Sequence, residues 1–71
     1  MTEVIKEWII GKAKKNNLGL KVRFLEFFEE NLIEILNYDL SGTEISVYIE
    51  IEEVDALISA LREIKRIRKK Y

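Results

Sequence analysis

Apolar residues recur along this 71-residue chain with two different periods. Between Thr2 and about Asn16, the positions Val4, Ile5, Trp8 and Ile9 fall at helical spacing. Thr2 is of the type that caps helix starts, and Asn16, Asn17 and Gly19 supply a stop. The pattern predicts an N-terminal helix, weakened at Gly11 because a mid-helix Gly costs about 1 kcal/mol against Ala. From Leu20 to Ile51 the spacing drops to two and predicts a three-stranded antiparallel meander. After Ile51 it returns to 3.6: Val54, Leu57, Ile58, Leu61 and Ile64 form a stripe, extended by Ala60, Ile67 and Tyr71. Residues 52 to 70 therefore read as one long amphipathic helix. The expected fold class is α+β, a single domain spanning 1–71 with an N-terminal helix, a three-stranded β-meander and a long C-terminal amphipathic helix.

Turn chemistry sets the expected register. A three-residue loop at Glu29, Glu30 and Asn31 pairs Val22 with Tyr38 and Phe24 with Leu36 on one face, and Leu25 with Ile35 and Phe27 with Ile33 on the other. It also sets Glu26 opposite Glu34. A Ser41-Gly42 turn then places Ile45, Val47, Ile49 and Ile51 on the first face, which becomes almost wholly apolar. A three-residue loop at Leu40, Ser41 and Gly42 is the alternative, and it exchanges the faces of the third strand. The C-terminal helix is expected to cover the first face. The N-terminal helix either joins it there, the preferred arrangement, or crosses to the second face with Trp8 and Ile9.

Charge changes this picture, because it is segregated. Residues 1–23 carry six bases and two acids, residues 24–55 carry ten acids and no base, and residues 56–71 carry six bases and one acid, within a net charge of −1. Like charges held together destabilise a compact state unless opposite charge answers them, on this chain, a twin chain or a partner. Length sharpens the point: a core below about 70 to 80 residues seldom supplies more than about 3 to 5 kcal/mol, and small domains add disulfides, metals or oligomerisation. With no Cys and no His, disulfides and ordinary zinc sites are closed, as is Cys or His catalysis. No metal or other cofactor is expected. Absent Cys, Gln, His and Pro, with abundant Ile, Glu and Lys, give a composition like that of proteins from hot organisms. No segment reaches the roughly 18 apolar residues of a membrane span, and the expected location is cytoplasmic.

Three groups of residues are candidates for function. Leu25, Phe27, Ile33, Ile35 and Tyr48 form an apolar patch on the second sheet face, expected to be a protein interface if no helix covers it. Lys12, Lys14 and Lys15 near the start, with Arg62, Arg66, Lys69 and Lys70 on the last helix, are the candidate nucleic-acid contacts. The plainer reading of the helical bases is a solvated helix end suited to the dipole. Glu26 and Glu34 are a carboxylate pair that Lys65 or Arg68 would neutralise; without a nucleophile or a phosphate loop they do not make an enzyme. Trp8 reads as a core anchor rather than a stacking platform.

An antiparallel meander followed by a C-terminal helix, Leu20 to Tyr71, resembles the fold of the transcriptional coactivators that bind single-stranded DNA. The resemblance implies a four-stranded sheet and dimerisation through the helix. This chain's pattern shows three strands, lacks the bases and Trp in its strand region that would grip a nucleic-acid strand, and carries over no motif residue by residue. The expected function is a small, non-catalytic homodimeric protein-interaction module, its partner a second copy or another protein. The alternative is a nucleic-acid-binding protein that uses the basic helix ends.

Overall fold

From Thr2 to Gly11 the chain is a β-strand, not the expected helix. The computed structural model describes residues 2–68 and shows four antiparallel strands in sequential order: β1 (Thr2–Gly11), β2 (Gly19–Phe27), β3 (Glu30–Tyr38) and β4 (Glu44–Glu50). A single 3-10 turn, Ile51–Glu53, leads into α1 (Val54–Arg68). Lys69, Lys70 and Tyr71, the end of the expected helix, lie outside the described residues.

Two bulges explain how a strand came to look helical. In the pairing of β1 with β2, Val4 opposes Leu25 and Lys6 opposes Phe24, while Ile9 opposes Lys21 and Gly11 opposes Leu20. Ile5 and Ile10 are therefore extra residues, and each one resets the two-residue alternation by one position. The first bulge makes the apolar doublet at 4–5, Trp8 and Ile9 add a second by facing opposite sides of the sheet, and the two together imitate a 3.6 period. Val, Ile and Trp side chains suit a pleated surface, so β pairing with β2 prevails over a weakly propagating helix.

The register of β2 with β3 also departs from expectation, and it decides the two faces of the sheet. The turn is two residues, Phe28 and Glu29, both at positive φ (48° and 65°), with Phe27 opposite Glu30. This sets Arg23 opposite Glu34, Leu25 opposite Leu32, Phe24 opposite Ile33 and Val22 opposite Ile35. Charge and size are thus matched in the four central pairs, and the match outweighs the poor fit of Phe and Glu to a left-handed turn. At the next hairpin, Asp39 and Thr43 close the three-residue loop Leu40, Ser41 and Gly42, which was the alternative register. Gly42 takes the left-handed position at φ 92°, and the Asp39 carboxylate accepts hydrogen bonds from Ser41 N, Thr43 N and the Ser41 hydroxyl.

Both turns shift by an odd number, so β3 is turned over relative to its neighbours while β2 and β4 keep their expected relation. One face carries Val4, Glu7, Lys21, Arg23, Leu25, Phe27, Leu32, Glu34, Leu36, Tyr38, Glu44 and Tyr48. The other carries Lys6, Trp8, Val22, Phe24, Ile33, Ile35, Ile45, Val47 and Ile49. We call these the Arg23 face and the Trp8 face. Among the described residues, the apolar side chains that are buried, Leu25 and Leu36, both lie on the Arg23 face.

The ends of β1 and β2 are tied by Tyr38. Its hydroxyl donates to Gly11 O (3.1 Å) and accepts from Ala13 N (3.3 Å), and its ring lies against Gly19. A Cβ on Gly19 would stand 2.3 Å from that ring. Gly19→Ala is accordingly expected to lose about 1 to 3 kcal/mol of stability, whereas Glu29→Gly, by relieving a left-handed non-glycine residue, is expected to gain about 1 kcal/mol. Urea denaturation followed by circular dichroism measures both.

Candidate interaction surface

The helix α1 does not cover the sheet. No residue of α1 is buried, and Val54 and Leu57 are its only half-buried side chains. Leu61 and Ile64 are 56% and 62% exposed. The principal extents of the chain, 45 × 34 × 15 Å, are those of a single layer with the helix carried beyond it rather than stacked on it. The expectation that α1 shelters a sheet face is corrected: its amphipathic pattern is real, but its apolar stripe is not buried against the sheet. The expected N-terminal helix is absent too, so neither face has a helical cover.

The two faces meet this exposure differently. On the Arg23 face, polar side chains close over the sheet. Arg23 Nε donates to Glu7 on β1 (2.6 Å), and Nη1 and Nη2 donate to Glu34 on β3 (3.2 Å) and Glu44 on β4 (2.9 Å). In register terms, the reach from Arg23 to Glu44 crosses β3 at the row of Leu36, which is only 1% exposed. Lys21 adds an ion pair to Glu7 at 3.7 Å and lies 4.5 Å from the centre of the Tyr38 ring. The hydrogen bonds it donates to Glu44 and Glu7 raise the Arg23 pKa further, keeping the guanidinium charged. The hydrogen bond from Arg23 lowers the Glu7 carboxyl. Sequence reasoning missed this cluster because the expected register paired Glu34 with Glu26. In the structure Glu26 faces Asn31 and Glu3, and Glu34 answers Arg23. The one signal in the sequence was Arg23 itself, the last base before the acidic block.

The Trp8 face has no such roof. Trp8, Ile45 and Val47 are exposed, and Val22, Phe24, Ile33, Ile35 and Ile49 are half-buried. Its polar groups sit towards the rim, with the Lys6 ammonium 5.2 Å from the Trp8 ring. An apolar surface of this breadth, continuous across four strands, is of the kind that marks an interaction site.

The five residues expected to form one interface are divided between the faces. Leu25, Phe27 and Tyr48 stay together on the Arg23 face, where they join Leu32 and Thr2 around an open hollow of about 390 Å³. Ile33 and Ile35 point the other way, with Val47 and Ile49 beside them. The basic residues are also dispersed. Lys12, Lys14 and Lys15 belong to the β1–β2 connection, where Lys14 and Asn17 pair and Lys14 and Lys15 flank a hollow shared with Asp39 and Ser41. Arg62 and Arg66 are on α1, which leaves the sheet from its opposite end, and Arg66 is paired with Glu63. Lys69 and Lys70 lie outside the described residues.

No protein-family model matches this chain, and no curated protein or solved structure is significantly similar to it. The Arg23 face sets Glu7, Glu30, Glu34, Glu44 and Glu50 against Lys21 and Arg23, a surplus of carboxylates that repels phosphate. Among the described residues no helix is long and apolar enough to cross a membrane.

Two outcomes test the Arg23 cluster. Arg23→Met strands Glu34, 7% exposed, without its cation, and is expected to cost about 2 to 3 kcal/mol at neutral pH; adding Glu34→Leu restores most of it. Acid acts through Glu7 and Asp39, both held below their ordinary values, Glu7 by Arg23 and Asp39 by the Ser41 hydroxyl. Carboxyls lowered on folding stabilise fully above their unfolded values of about 4 and lose that contribution as pH falls through the folded ones. Thermal midpoints should therefore be flat near neutrality and decline below about pH 4.5, with a shallower decline in Glu7→Gln/Asp39→Asn.

Proposed function

We propose that this chain is a non-catalytic protein-interaction module that works as a homodimer, burying the Trp8 face and the α1 stripe against a second copy. The observation that carries the reading is the state of α1: a 15-residue helix patterned for burial keeps Ile58, Leu61 and Ile64 open to water. Fully burying one such side chain contributes about 1.5 to 3 kcal/mol. A chain whose own core comprises little more than Leu25 and Leu36 has much to gain from that burial. The interface is thus reassigned from the expected patch: Ile33 and Ile35 remain in it, while Leu25, Phe27 and Tyr48 belong to the opposite face.

A nucleic-acid partner is the less favoured reading, since the candidate bases are split between a hairpin and a helix that leave the sheet at opposite ends. Catalysis has no support in a carboxylate cluster whose charge is taken up by Arg23.

Sedimentation equilibrium tests the proposal. The wild type is expected to be dimeric at micromolar concentration. Leu61→Asp and Val47→Lys are each expected to weaken the dimer at least about tenfold, equivalent to about 1.4 kcal/mol, with the β-sheet signal kept because neither side chain is buried in the protomer. A wild type that stays monomeric at high concentration defeats the reading.

A further inference from the structure

The open stripe of α1 ends in cations. Val54, Ile58 and Leu61 stand at helical positions i, i+4 and i+7, and the same row continues at i+11 and i+14 with Lys65 and Arg68. Its beginning has the opposite sign: Glu52 and Glu53 precede the helix and Asp55 lies in its first turn. The row is thus apolar along its middle and basic at its tip, with acids flanking its root on either side. Neither Lys65 nor Arg68 has a salt-bridge partner among the described residues, in contrast to Arg66 with Glu63.

We propose that α1 pairs with α1 of a second copy in antiparallel orientation, centred on Leu61, so that the basic tip of each helix lies along the acidic root of the other. The proposal rests on the homodimer reading above and adds its geometry. A two-fold axis through Leu61 gives each helix the same contacts and closes the assembly at two copies. Leu61 is the midpoint of Val54–Arg68, so the whole stripe of about 22 Å overlaps. Lys65 and Arg68 then lie opposite Leu57 and Val54, within reach of the partner helix's acidic start. A parallel pair sets Lys65 against Lys65 and Arg68 against Arg68, like charges at the margin of an apolar seam. Packing of α1 back onto the Trp8 face of its own sheet would press the two cations against Ile and Val. The antiparallel pair covers the apolar row and answers both charged ends.

Charge reversal tests the arrangement. Glu52→Lys/Asp55→Lys replaces two root acids with bases that repel the tip, and Lys65→Glu/Arg68→Glu replaces two tip bases with acids that repel the root; each pair alone is expected to raise the dimer dissociation constant at least about tenfold at low salt. The fourfold variant carrying all these changes restores attraction between the four altered positions and is expected to dimerise nearly as the wild type does. Its charges now oppose the helix dipole, so rescue cannot come from helix stability, and far-UV circular dichroism of each variant confirms folding. Dimerisation unchanged by either pair, or no rescue in the fourfold variant, overturns the antiparallel arrangement while the dimer itself stands. A monomeric wild type in the same run defeats the homodimer reading instead.

Discussion

A single β-sheet has two faces, and with no second layer it must make at least one of them tolerable to water by other means. In this chain that constraint is met twice, by different chemistry. The Arg23 face is closed by long polar side chains that lie across it, so that Leu25 and Leu36 are buried without any helix above them. The Trp8 face and the α1 stripe have no such closure. The division of labour is a matter of side-chain reach: Arg and Lys stems cover apolar ground while their heads stay wet, and Ile and Val have no polar end to offer.

Arg23 holds a place that no other residue duplicates. Standing on β2, it bonds to carboxylates on β1, β3 and β4, and so links all four strands through one planar group. Its fork of donors can serve several carboxylates at once, which a lysine ammonium does less well. The acidic block of the sequence therefore has part of its answer within the protomer. Glu44 and Glu34 come from that block, and Glu7 from the basic one. Among the described residues, carboxylates of the acidic block without an ion pair lie both at the β2–β3 hairpin, Glu26, Glu29 and Glu30, and at the root of α1, Glu52, Glu53 and Asp55. Internal pairing accounts for Glu7, Glu34 and Glu44 only, and leaves the helix polarised end to end.

The sequence by itself determined the hairpin region, the amphipathic helix and the class α+β. These are legible because they rest on local spacing that no distant contact disturbs. Tertiary structure decided three things. Bulges at Ile5 and Ile10 turned an apparent helical period into a strand, because an extra residue in a paired strand shifts the phase of everything after it. The left-handed turn at Phe28 and Glu29 overrode turn preference, because the pairs it makes across β2 and β3, Arg23 with Glu34 above all, weigh more than the local strain. That slip turned β3 over and divided the expected patch, sending Ile33 and Ile35 away from Leu25 and Phe27. Finally, amphipathicity says that α1 has a side to bury but not against what. Only the folded chain shows that its own sheet does not bury it.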